Sequence, residues 1–64
     1  MNNNVVFVKS VMIPDFYAVF ADSTRKGSIK KEGKHWILTL FTKPHYYTFK
    51  GSLADCVQDA REML

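Results

Sequence analysis

Apolar and polar residues alternate in short bursts over the first fifty positions, and then the period changes. Residues 5 to 13, VVFVKSVMI, are rich in β-branched side chains and predict a strand. Pro14-Asp15 predicts a turn, because proline fixes φ and aspartate bonds its own backbone. Residues 16 to 21, FYAVFA, predict a second strand, and DSTRKG at 22 to 27 reads as its break. Residues 28 to 41, SIKKEGKHWILTLF, predict a hairpin turning at Glu32-Gly33. A further turn is expected near Lys43-Pro44, then a strand from about His45 to Lys50. The asparagines at residues 2 to 4 read as a frayed polar lead.

From Ser52 onward the pattern is helical. Ser52 suits an N-cap, with Asp55 three residues on in a capping-box-like position. Leu53, Val57, Ala60 and Leu64 recur at i, i+4, i+7 and i+11, widened by Cys56 and Met63, while Gln58, Asp59, Arg61 and Glu62 fall towards water. The expected fold is therefore α+β: one domain over residues 1–64, an antiparallel sheet of four to five strands, and one C-terminal amphipathic helix packed on one face.

Strand parity divides the side chains. Trp36, Leu38 and Leu40 point one way, and His35, Ile37, Thr39 and Phe41 the other. Tyr47 and Phe49 oppose Tyr46, Thr48 and Lys50, while Ile29 opposes Lys26, Ser28 and Lys30. The economical assembly places Ile29, Trp36, Leu38, Leu40, Tyr47 and Phe49 beneath the helix. Lys26, Lys30, His35, Thr39, Tyr46, Thr48 and Lys50 then share an open face with Ile37 and Phe41. The first two strands are apolar on both parities, which asks for cover on both sides. Either they fold over the open face as part of a small barrel, or a second protein covers it.

Charge sharpens that picture. The 64 residues carry a net charge of +3. Residues 23 to 51 hold seven basic groups and only Glu32 as an acid, or +6, whereas residues 52 to 64 hold three acids against Arg61, or −2. Such a basic segment is an electrostatic footprint for phosphates. A single cysteine, Cys56, excludes an intramolecular disulfide and favours a reducing, cytoplasmic setting. MNNNVVFVKSVM lacks the features of a signal peptide, and the apolar runs fall far short of the ~20 residues needed to span a bilayer, so no membrane association is expected.

Little catalytic chemistry is visible. His35 and His45 show no metal-ligand spacing, so neither metal nor cofactor is expected. Cys56 lies on the apolar side of the helix and reads as core. Asp15 and Asp22 read as turn residues. No paired carboxylates, Gly-rich phosphate loop or Ser-His-Asp pattern occurs, and an enzyme is not expected.

The segment KGSIKKEGKHWILTL…HYYTFKGSLADCVQDAREML resembles the arm-type DNA-binding domain of phage and transposon tyrosine integrases, and more distantly AP2-like domains. The shared features are Gly27-Ser28-Ile29 with Lys31, then Trp36, Phe49, and a helix opening at Ser52. In that family a three-stranded sheet enters the major groove. The chain departs from the pattern in having Lys43-Pro44 where a Gly-Lys or Gly-Arg turn is usual, and in its two apolar N-terminal strands. YTFKGSLADCVQDAREML is also similar to HicB-type antitoxin domains, which are partly open sheets with a helix.

Two functions follow as expectations. The first is a small accessory or regulatory protein of a phage or mobile element that binds double-stranded DNA. Lys26, Lys30, Lys34, Lys43 and Lys50 would hold phosphates, with His35, Tyr46 and Thr48 nearer the bases. The alternative is a protein-interaction module, either a phage-type inhibitor of a host protein or a homodimeric adaptor. Its apolar centre would be Ile37, Phe41, Phe16 and Val19, with lysines at the rim.

Overall fold

In a computed structural model that describes residues 4–64, the chain forms β1 (Val5–Lys9), β2 (Phe16–Ala21), β3 (Thr24–Glu32), β4 (His35–Leu40), β5 (Tyr47–Gly51) and α1 (Leu53–Met63). Most of the polar lead at residues 2 to 4 lies outside the described residues. The strands form one antiparallel meander in the order β1-β2-β3-β4-β5, and α1 packs across one face. Every connection between strands is short, which allows antiparallel neighbours only.

The turns explain the strand limits. β1 stops at Lys9 rather than running to Ile13, because the Ser10 hydroxyl accepts from the N–H groups of Met12 (3.2 Å) and Ile13 (2.9 Å). That capture closes a local turn in competition with the ladder. Lys31 N–H donates to the Asp15 carbonyl at 3.1 Å and ties the connection to β3. β3 and β4 are joined by Gly33-Lys34, with Glu32 facing His35 and Gly33 at φ 64°. A glycine with positive φ at the first central position matches the right-handed twist of the flanking strands. β5 starts at Tyr47, two residues later than expected, after Thr42 Oγ1 has donated to the His45 carbonyl at 2.6 Å.

The expected break at 22 to 27 is much shorter. Only Asp22 and Ser23 form the turn, at φ 54° and 66°, and Thr24 to Gly27 already belong to β3. A bulge lets the polar stretch stay in the sheet: Val19 faces Gly27 while Phe20 faces Arg25, leaving Lys26 as the extra residue. Two consecutive residues with positive φ define a turn that prefers glycine at its second place. Ser23→Gly is therefore expected to stabilise the protein by about 0.5–1 kcal/mol, since it removes a left-handed non-glycine residue. A rise in the urea midpoint at unchanged slope checks this; no rise would contradict it.

Val19, Ile29, Leu38, Leu40, Cys56 and Ala60 form the buried core, flanked by Val5, Phe7, Tyr17, Trp36, Tyr47, Phe49, Leu53, Val57 and Leu64. The residues expected beneath the helix are there. Ser52 caps α1, accepting from Asp55 N–H at 3.1 Å. Tyr47 O–H donates to Asp59 at 2.6 Å, tying β5 to the helix, and this bond to the carboxylate raises the phenol above its usual pKa. The first two strands do not fold over as a barrel wall. They widen the sheet edgewise and send Val5, Phe7, Tyr17 and Val19 into the helix-side core. Val19 is thus corrected: it is fully buried between Phe7 and Gly27 and cannot serve an interface. Among the described residues, no helix is long and apolar enough to cross a membrane.

Candidate nucleic-acid interface

Cross-strand register assembles the face opposite the helix. One row runs Val8, Ala18, Ser28, Thr39, Thr48 across all five strands. The next row, towards the Gly33-Lys34 turn, runs Phe16, Lys30, Ile37, Lys50. At the other end Val6 faces Phe20, and Phe20 faces Arg25. The face therefore has two halves. β1 and β2 contribute Val6, Val8, Phe16, Ala18 and Phe20; β3 to β5 contribute hydroxyls and cations.

On the β3–β5 half, Ser28, Thr39 and Thr48 stand side by side on neighbouring strands. At ~4.8 Å between strands, the row spans about 10 Å. Cations flank it on both sides along the strands. Lys30 and Lys50 lie on one side, with His35 and the turn residue Lys34 beyond them. Arg25 and Lys26 lie on the other, at the bulge. All of these basic residues are exposed. Glu32, opposite His35, is the one acid of this half among the described residues.

Ile37 sits between Lys30 and Lys50 and is half-buried, although no element of the described residues covers this face. Its cross-strand neighbours are two lysines, a residue type whose stem covers apolar surface while its ammonium group stays in water. Phe41 is 44% exposed and has aromatic and cationic neighbours. Its ring lies 5.3 Å from that of Tyr46, and the Arg25 guanidinium stands 5.7 Å from its centroid. Arg25 Nε also donates to the Gly27 carbonyl at 2.7 Å, so its plane is held in place.

The expected site residues do not form a single cluster. Lys30, Lys34, His35 and Lys50 gather at the Gly33-Lys34 end. Tyr46 and Lys43 lie in the 41–46 connection at the opposite end, beside Phe41. Thr48 joins the central hydroxyl row. Of the expected apolar centre, Phe16 stands on the open face beside Lys30, whereas Val19 is on the other side of the sheet. Lys31 pairs with Trp36 and Lys9 with Tyr17, so both belong to the helix side. Sequence reasoning misses Arg25 and Ser28 as site residues. The parity of Ser28 is legible, but Arg25 falls in the segment that reads as a break.

Other chemistry is not assembled. Cys56 is fully buried, its thiol donates to the Trp36 carbonyl at 3.5 Å, and burial pushes its pKa up. Among the described residues there is no group of three or more His, Cys, Asp or Glu side chains placed to hold a metal, and no pocket. Compared with protein-family models, with curated proteins and with solved structures, the chain matches none.

Proposed function

We propose that this protein binds double-stranded DNA through the β3–β5 half of its open sheet face. One observation carries the reading: a three-hydroxyl row, Ser28–Thr39–Thr48, with cations on both sides of it along the strands. Lysine and arginine neutralise phosphates, and hydroxyls reach base edges or sugar oxygens. The three-strand strip, about 10 Å wide by strand spacing, is comparable with the ~12 Å major groove. The threonine methyls and Ile37 offer apolar contact for thymine methyl groups. The resemblance to integrase arm-type domains covers the same unit, β3–β5 with α1, and supports a role as an accessory or regulatory protein of a phage or mobile element.

Anisotropy titration of a labelled random duplex tests the reading. Four or five phosphate contacts, drawn from Arg25, Lys26, Lys30, Lys34 and Lys50, give an expected slope of log affinity on log salt of roughly −4. Absence of binding at about 50 mM salt, or a slope near zero, would sink it.

The apolar β1–β2 half favours a protein contact as well. Such a contact would rest on Val6, Val8, Phe16 and Phe20, with Phe41 also exposed on this face.

A further inference from the structure

The sheet has two outer edges, and they differ. β5 carries Lys50 on its open face and has α1 packed against it through the Tyr47–Asp59 bond. A lysine on an edge strand discourages another strand from adding. β1 also carries one lysine, Lys9, but at its last position and on the helix side, and among the described residues VVFVK contains no proline and no bulge. Val6 and Val8 are 47% and 48% exposed on the open face, continuous with Ala18 and Phe20.

The hydrogen-bond phase of β1 is determined. Ser10 N–H donates to the Phe16 carbonyl, so the pairs Ser10/Phe16, Val8/Ala18 and Val6/Phe20 exchange bonds with β2. By alternation Val5, Phe7 and Lys9 point their N–H and C=O groups away from β2, along the outer edge. These groups are self-complementary about Phe7. An antiparallel copy with Phe7 opposite Phe7 and Val5 opposite Lys9 satisfies all of them within β1; in registers centred on Val6 or Val8, Lys9 or Val5 falls opposite a residue outside β1. In the Phe7 register, Val6 of each copy lies opposite Val8 of the other on the open face.

We infer that the outer edge of β1 pairs antiparallel, about a two-fold axis at Phe7, with the same edge of a second copy of this chain, giving a continuous ten-stranded sheet. Charge selects this arrangement over face-to-face stacking. Stacking of the whole faces, β3–β5 half on β3–β5 half, would bring Lys26, Lys30 and Lys50 of one copy against those of another, whereas edge addition keeps both basic halves outward and apart. A five-residue strand with an apolar flank is a small interface, so the dimer belongs to the weak, concentration-dependent class. The dimer uses none of the residues that would hold DNA, and it stands or falls separately from DNA binding.

Sedimentation velocity from about 10 μM to about 1 mM tests it, a range that brackets a dissociation constant of about 100 μM. The expected result is a monomer–dimer equilibrium that does not weaken as salt is raised, unlike DNA binding. Val6→Lys/Val8→Lys, at exposed positions, should remain monomeric throughout. Lys9→Pro should weaken the dimer without costing an internal bond, because the Lys9 N–H points outward. In a Val6→Cys/Val8→Cys variant, mild oxidation should link two chains through these positions. A wild-type monomer at every concentration, dimers undiminished in both the lysine and proline variants, or species that grow beyond a dimer would each overturn the inference.

Discussion

Gly27→Ala is expected to abolish the cooperative fold. Gly27 lies in β3 between Val19 on β2 and Leu40 on β4. A Cβ there would fall far inside van der Waals contact of the Thr39 carbonyl oxygen and 3.0 Å from both Leu40 Cα and Leu40 Cδ2. The first two of these are backbone atoms of a central strand. β4 cannot retreat without losing its bonds to β3 on one side and β5 on the other. The penalty should exceed the roughly 2–5 kcal/mol of a disruptive core change. A domain of this size has only about 3–10 kcal/mol in total. Gly33→Ala is the internal control: it meets nothing within 4 Å and suffers only from its φ of 64°, at a cost of about 1–2 kcal/mol. Far-UV circular dichroism with urea melts reads both. A cooperative Gly27→Ala transition within about 1 kcal/mol of wild type would show that β3 and β4 are not so closely apposed.

That glycine also shows where sequence reasoning stops. In DSTRKG it stands among polar residues and reads as part of the break between strands, yet it allows close approach in the middle of a sheet. The signal is hidden because its neighbours, Thr24 to Lys26, lie at the polar end of a strand where no apolar alternation marks them. Val19 fails for a related reason. FYAVFA is apolar on both parities, so parity alone cannot say whether Tyr17 and Val19 or Phe16 and Phe20 face the helix. Register with β1 and β3, and a bulge, decide it. By contrast, HWILTL sets Trp36, Leu38 and Leu40 against His35, Ile37 and Thr39, and that division holds in the structure. The helix is legible because its cap and its apolar period agree. The hydroxyl row lies between these cases. The parities of Ser28, Thr39 and Thr48 are in the sequence, but their alignment depends on the Gly33-Lys34 turn and on the length of the 41–46 connection.

The reading of the open face as a DNA surface makes its largest prediction for paired charge reversals. Lys30→Glu/Lys50→Glu should lower duplex affinity on the order of a hundred-fold at moderate salt and reduce the steepness of the salt dependence by about 2. Lys9→Glu/Lys31→Glu changes the net charge of the protein by the same amount, from +3 to −1. Lys9 and Lys31, however, pair with Tyr17 and Trp36 on the helix side. The helix-side pair should cost less than about five-fold and leave the slope nearly intact, because only a cation seated on a phosphate displaces condensed counterions. All four lysines are exposed, so none of these changes removes core packing, and matched melting curves would confirm that the fold is retained. The contrast between the pairs is the decisive quantity. If both reduce binding equally, the protein attracts DNA by overall charge and has no oriented face. If neither does, phosphates are not engaged by this sheet. Only a loss confined to Lys30 and Lys50 places the duplex against the row of Ser28, Thr39 and Thr48, where replacing the hydroxyls would then alter which sequences are preferred.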